Sequence, residues 1–116
     1  MLACESNFLI QESIEFQMNL DLIRQRASAW TMLPHDQETR SAVQDLLEAE
    51  DPTELQEAFH QDLAFGTGGM RGLMGPGTNR MNAAVVAMAT QGLADYLMGQ
   101  YTGKISVAIA HDSRHK

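Results

Sequence analysis

Leu63-Ala64-Phe65-Gly66-Thr67-Gly68-Gly69-Met70-Arg71-Gly72-Leu73-Met74-Gly75, continued by Pro76-Gly77-Thr78-Asn79-Arg80-Met81-Asn82, is the stretch on which the reading of this chain turns. Six glycines fall within residues 66–77. Such density marks a backbone that turns sharply or lets another group approach closely. Two standard phosphate loops fail here. Gly72 and Gly77 have Walker A spacing, but Thr78 stands where the lysine belongs. A dinucleotide fingerprint begun at Gly66 or Gly75 meets Arg71 or Arg80 in place of its last glycine. What remains is a run of accessible backbone N–H groups beside Arg71, whose planar fork of donors suits phosphate oxygens.

Working outward toward the C-terminus, Asn82 is a candidate cap for an apolar helix over about 83–101, which Gly103 ends. Its alanines at 83, 84, 87, 89 and 94 permit close packing against a sheet. Ile105 to Ala110 is short, apolar and partly β-branched, the pattern of a buried parallel strand. His111-Asp112-Ser113-Arg114 then follows the carboxyl end of that strand, where open α/β sheets place ligands. The order strand, long helix, strand predicts one βαβ unit with a right-handed crossover. An α/β fold results, with a partial βαβ unit over 63–116 and an incomplete mixed or parallel sheet. Arg71 and Arg114 on one sheet edge would make an anion clamp. Solvent-facing arginines on a glycine-rich turn fit the same residues.

Working outward toward the N-terminus, residues 18–62 read as three helices. Leu20, Ile23, Ala27 and Trp30 recur at helical spacing over about 19–33, and Pro34 stops that helix. Asp36 is the expected cap of a second helix to about Glu50, with Ala42, Val43, Leu46 and Leu47 as its stripe. Asp51, Pro52 and Glu54 predict a capped third helix to about Gln61, closed by a capping box and burying Leu55, Ala58 and Phe59. These helices form a collar without chemistry of their own, and His35 and His60 are surface residues on it. Residues 1–17 form an N-terminal extension, to be read as extra helix, as an arm, or as sequence upstream of a second start at Met18.

Charge divides the chain in the same place. The net charge is −7, with 13 acidic and 3 basic side chains in residues 1–62 against 2 acidic and 5 basic in residues 63–116. An acidic chain without clustered Lys and Arg is a poor nucleic-acid binder, and the basic residues lie in the glycine-rich half. No apolar run approaches the roughly 20 residues that span a bilayer, so no membrane partner is expected. A single cysteine, Cys4, excludes an internal disulfide and suits a reducing, cytoplasmic setting.

Four ordered blocks carry a resemblance. Residues 63–75, Gly77-Thr78-Asn79-Arg80-Met81-Asn82, Ala89-Thr90-Gln91-Gly92-Leu93 and His111-Asp112-Ser113-Arg114-His115 together resemble the N-terminal signature of the α-D-phosphohexomutases, the phosphoglucomutase/phosphomannomutase family. The resemblance implies an enzyme of four domains that moves a phosphoryl group between the C1 and C6 oxygens of a hexose phosphate. It implies a phosphoserine donor, a bisphosphate intermediate and a Mg²⁺ ion. Carried over by residue, Arg71 and Arg114 are the implied phosphate-site arginines, and Thr67, Gly68 and Gly69 shape the pocket. Arg80 is expected to be structural.

The serine motif, the metal loop and the sugar-binding loop of that family are not among these 116 residues. The chain is therefore expected to hold no catalytic residue and no metal ligand, and to be inactive alone. Ser113 belongs to the Asp-Ser-Arg block and not to a phosphorylation site, and His111 and His115 read as loop histidines. The methionines, among them Met70, Met74, Met81 and Met88, are expected to fill core gaps. Two alternatives to the mutase reading are a non-catalytic product that retains phosphate binding and a helical module that docks a partner. An uncovered sheet edge and an apolar helix face also predict self-association.

Overall fold

The computed structural model describes residues 2–113, with side chains from Asn7 to Ser113. Four helices and a two-stranded antiparallel hairpin follow one another: α1 (Leu2–Ala29), α2 (Gln37–Glu48), α3 (Thr53–Phe59), β1 (Phe65–Gly66), β2 (Gly69–Met70) and α4 (Ala83–Gln100). The chain divides at Val86/Ala87, within α4, into two compact units.

In the first unit α1 to α3 build the collar. Leu20, Ile23, Ala27 and Trp30 of the first helical stripe are all buried, as are Val43 of α2 and Leu55, Ala58 and Phe59 of α3. Trp30 and Phe59 meet edge to face, centroids 5.6 Å apart and planes at 84°, a favoured aromatic geometry. The other face of Trp30 carries His35, stacked at 4.4 Å and 16°. His35 is thus half-buried on an aromatic ring and not a free surface residue, whereas His60 is exposed.

α1 is longer than its single apolar stripe suggests, running unbroken through residues 2–19. No glycine or proline interrupts the chain before Pro34. Side-chain pairs four residues apart, Gln11 to Glu15 (3.2 Å) and Gln17 to Asp21 (3.3 Å), support the exposed turns. Ile10, Ile14, Met18 and Leu22 make a second stripe at four-residue spacing, and all are exposed. Two stripes on different sides cancel the one-sided periodicity that reveals a helix in sequence.

Asp36 caps α2 as expected, its carboxylate accepting from the Thr39 N–H (2.7 Å) and hydroxyl (3.0 Å). At α3 the expected capping box is replaced. Asp51 accepts from the Thr53 N–H (3.0 Å) and hydroxyl two residues on, and Pro52 takes the cap position. Glu54 pairs instead with Arg80, 3.6 Å away. These hydrogen bonds hold the carboxyls of Asp36 and Asp51 below the usual aspartate range.

The fold is an incomplete α/β domain, and its sheet differs in detail from the one expected. The paired strands are the short antiparallel hairpin at 65–70, and Met74 and Met81 form one parallel bridge. Residues 105–110, the expected parallel strand, join no ladder among the described residues. A strand's N–H and C=O groups need a neighbouring strand to pair with, and residues 105–110 have none among the described residues, so the expected βαβ unit is not formed there. In the second unit α4 continues to Gln100, Gly103 (φ +99°) follows it, and residues 101–113 are exposed. Met70 packs on the core, but Met74 and Met88 are 73% and 61% exposed and fill no gap.

Candidate functional site

The site begins with the carbonyl end of α3, because that end anchors the glycine-rich loop. A helix leaves its last four C=O groups without intrahelical partners. In α3 these belong to Gln56, Glu57, Ala58 and Phe59, and each is used. Gln56 accepts from the His60 N–H (2.8 Å), Glu57 from the Asn79 side-chain amide (3.0 Å), Ala58 from the Asn79 backbone N–H (2.9 Å) and Phe59 from Arg26 Nη1 (3.1 Å). The Thr78 hydroxyl adds a bond to the Gln61 carbonyl (2.7 Å), and the Leu63 N–H donates back to the Thr78 carbonyl (2.8 Å). Arg80, with its side chain 11% exposed, lies 3.6 Å from both Glu54 and Glu57 on α3. The block 77–80 is thus a clasp on the collar, which gives Arg80 the structural role expected of it.

Asn82 ties the same loop to the next helix. Its side-chain oxygen accepts from the Val85 N–H (2.9 Å), capping α4 as the sequence suggests. Its amide donates to the carbonyls of Gly75 and Gly77, 2.9 Å each. The Met81 backbone bonds to Leu73 (2.8 Å) and Gly75 (3.3 Å) beside it. Gly72 lies against Leu63, close enough that a Cβ there would stand 2.9 Å from Leu63 Cδ1.

On this base the hairpin carries Thr67, Gly68, Gly69 and Arg71 together. Phe65 pairs with Met70 and Gly66 with Gly69, so Thr67 and Gly68 form the turn. Gly69 has φ +102°, a left-handed conformation that a side chain disfavours. The Arg71 guanidinium folds over Gly68: a Cβ on Gly68 would lie 3.4 Å from Arg71 Nη2. Thr67, Gly68 and Arg71 are exposed, and among the described residues no carboxylate pairs with Arg71. The arrangement can present a guanidinium and turn N–H groups to a small anion.

Arg114 and His115 lie outside the described residues. His111, Asp112 and Ser113 are exposed in the second unit, with His111 Nδ1 2.8 Å from the Asp112 carbonyl. Among the described residues no group of three or more His, Cys, Asp or Glu side chains could hold a metal ion. No helix among them is long and apolar enough to cross a membrane. Sequence reasoning left Asn79 and Arg26 unassigned. The only signal for Asn79 is the general liking of asparagine for turns and helix ends.

These features define an α/β domain that opens with a glycine-rich, arginine-bearing loop held on a helical collar. Residues 62–116 match the α/β/α domain I of phosphoglucomutase/phosphomannomutase, and the chain belongs to that family, the α-D-phosphohexomutases. Curated relatives agree. A protein named probable phosphoribomutase of Schizosaccharomyces pombe is 38% identical over 97 residues, covering 82% of this chain and 16% of its own length. The phosphopentomutase of Homo sapiens is 33% identical over 92 residues, 78% of this chain and 15% of its own. A phosphoglucomutase of Staphylococcus aureus is 37% identical over 75 residues, 65% of this chain and 13% of its own. The chain thus spans about a seventh of the length of such relatives. No solved structure matches it.

Proposed function

We propose that this chain forms the opening part of domain I of a sugar-phosphate mutase and supplies one wall of its phosphate site. The observation that carries the reading is the Arg71 guanidinium lying over Gly68 on an exposed hairpin, without a carboxylate partner among the described residues. Thr67, Gly68 and Gly69 shape that wall, and in the whole protein Arg114 joins it as a second guanidinium. In the whole protein a phosphoserine outside these residues gives its phosphoryl group to one oxygen of a hexose phosphate. The resulting bisphosphate turns over and returns its other phosphoryl group to the serine, so the net change is C1 to C6 or the reverse. Mg²⁺ at the serine offsets the charge of the transferred group. A single cysteine is in keeping with a cytoplasmic setting. Without the serine these 116 residues bind phosphate and do not turn over.

The relatives favour a second substrate reading. Two of those described above are named for pentose or ribose phosphates, so a pentose phosphate is the alternative substrate. Titration of the chain with glucose 1-phosphate, ribose 1-phosphate and inorganic phosphate, followed by backbone amide shifts, tests the reading. Shifts confined to residues 66–72 and lost in Arg71→Ala are expected. No shift there with any of the three removes the phosphate site. Preference between the two sugars calls for the whole protein.

A further inference from the structure

We propose that Asn82 is a positioning residue for the loop that carries Arg71, a role separate from its capping of α4; the link to phosphate rests on the mutase reading above. One side chain does two jobs with two different atoms. The oxygen takes the Val85 N–H at 2.9 Å, a bond that any good cap residue can make. The nitrogen donates to Gly75 and Gly77, carbonyls on either side of Pro76, at 2.9 Å each. A serine or aspartate cap has no such pair of donors at that reach.

The carbonyls so held belong to the bend that returns the chain from Arg71 to the collar. Upstream of it, Gly72 rests on Leu63 and Leu73 accepts from the Met81 N–H. Downstream, Asn79 and Arg80 are fixed to α3 and Thr78 to Gln61 just beyond it. Residues 73–77 lie between these two anchored stretches, and the Asn82 amide with the Met81 backbone spans them. Release of the amide frees Gly75 and Gly77 together, and the stretch that follows Arg71 loses its fixed path. A cation placed for a small anion needs that path, since misplacement of a binding group by about 1 Å is costly to function.

The two atoms separate by substitution. Asn82→Ser keeps an oxygen for Val85 and removes the amide, whereas Asn82→Ala removes both. Amide hydrogen exchange resolved by residue reads each bond on its own. In Asn82→Ser the Val85 amide keeps its protection, the amides of Gly75 and Met81 exchange about tenfold faster or more, and the melting midpoint stays within about 2 °C of the parent. In Asn82→Ala the Val85 amide also speeds up. Inorganic phosphate, titrated against the same proteins, binds Asn82→Ser about tenfold more weakly than the parent, a change that a cap alone does not make. Equal exchange of Gly75 and Met81 in parent and Asn82→Ser overturns the proposal, as does a parent chain without protection at those amides. Loss at Val85 to the same extent in Asn82→Ser reduces Asn82 to a cap and overturns it too. A parent that shows the expected exchange but no phosphate binding sinks the mutase reading and leaves the positioning role standing.

Discussion

Gly77 sits directly against Ala58, with no room between them for even a methyl group. A Cβ at residue 77 would collide with the Ala58 carbonyl oxygen and stand 2.9 Å from its Cβ, and Gly77 has φ +127° besides. Contact this close is what lets Asn79, two residues on, reach the end of α3. Gly77→Ala is therefore expected to destabilise the first unit by about 2–4 kcal/mol, through overpacking and backbone strain together. Urea unfolding followed by far-ultraviolet circular dichroism measures it. Gly92→Ala, in α4 with open space where its Cβ would lie, serves as the control and should stabilise the helix by about 0.5–1 kcal/mol. Equal effects at the two sites would disprove the contact.

The two arginines of the loop should separate by assay. Arg80→Met is expected to cost about 1 kcal/mol, because Glu54 and Glu57 are 74% and 58% exposed and solvent screens the pairs. That cost shrinks in 1 M salt. Arg71→Ala should leave stability within about 0.5 kcal/mol, since the side chain is exposed, while weakening phosphate binding. A large stability loss in Arg71→Ala would reassign it to the framework.

Acid should loosen the cap of α2. The Thr39 hydrogen bonds depress the Asp36 carboxyl in the folded chain, so the unfolded chain binds that proton more readily. The stabilisation is present above the unfolded pKa and is lost as pH falls through the folded one. Asp36→Ala is expected to melt lower than the parent at pH 7, and the gap should close near pH 2. A gap independent of pH would mean that the carboxylate is not the capping group.

Self-association is expected of the 116-residue chain, through the apolar surface of α4. Met88, Leu93, Tyr96 and Met98 are between 53% and 72% exposed there, and large exposed apolar patches mark interaction surfaces. Sedimentation velocity over a hundredfold range of concentration should show a rising average mass, which Met88→Glu with Tyr96→Glu reduces. A monomer throughout that range would count against it.

How far the sequence could be read depends on the reach of each interaction. Leu20, Ile23, Ala27 and Trp30 announce their buried face because helical spacing is local, and Asp36 and Asn82 announce caps for the same reason. The early turns of α1 stayed hidden because Leu9 and Phe16 continue one stripe while Ile10, Ile14, Met18 and Leu22 form another. Asp51 and Glu54 have capping-box spacing, yet Arg80, 26 residues after Glu54, takes the glutamate away. Ile105 to Ala110 has the composition of a strand, but composition supplies no neighbour. In the candidate site Thr67, Gly68, Gly69 and Arg71 were legible from the motif, whereas the bonds of Asn79 to α3 and of Thr78 to Gln61 span 22 and 17 residues and leave no local trace.

The clasp on α3 also sets an order of assembly. Every bond it makes to the helix runs back to chain that precedes it, from Thr78, Asn79 and Arg80 to residues 54–61. On a ribosome, which issues the chain from its N-terminus, the helical collar is synthesised whole before the first residue of the clasp. The glycine-rich loop is thus the later part to be fitted. A lesion in the collar, however far from any anion, would reach the loop as an error of shape.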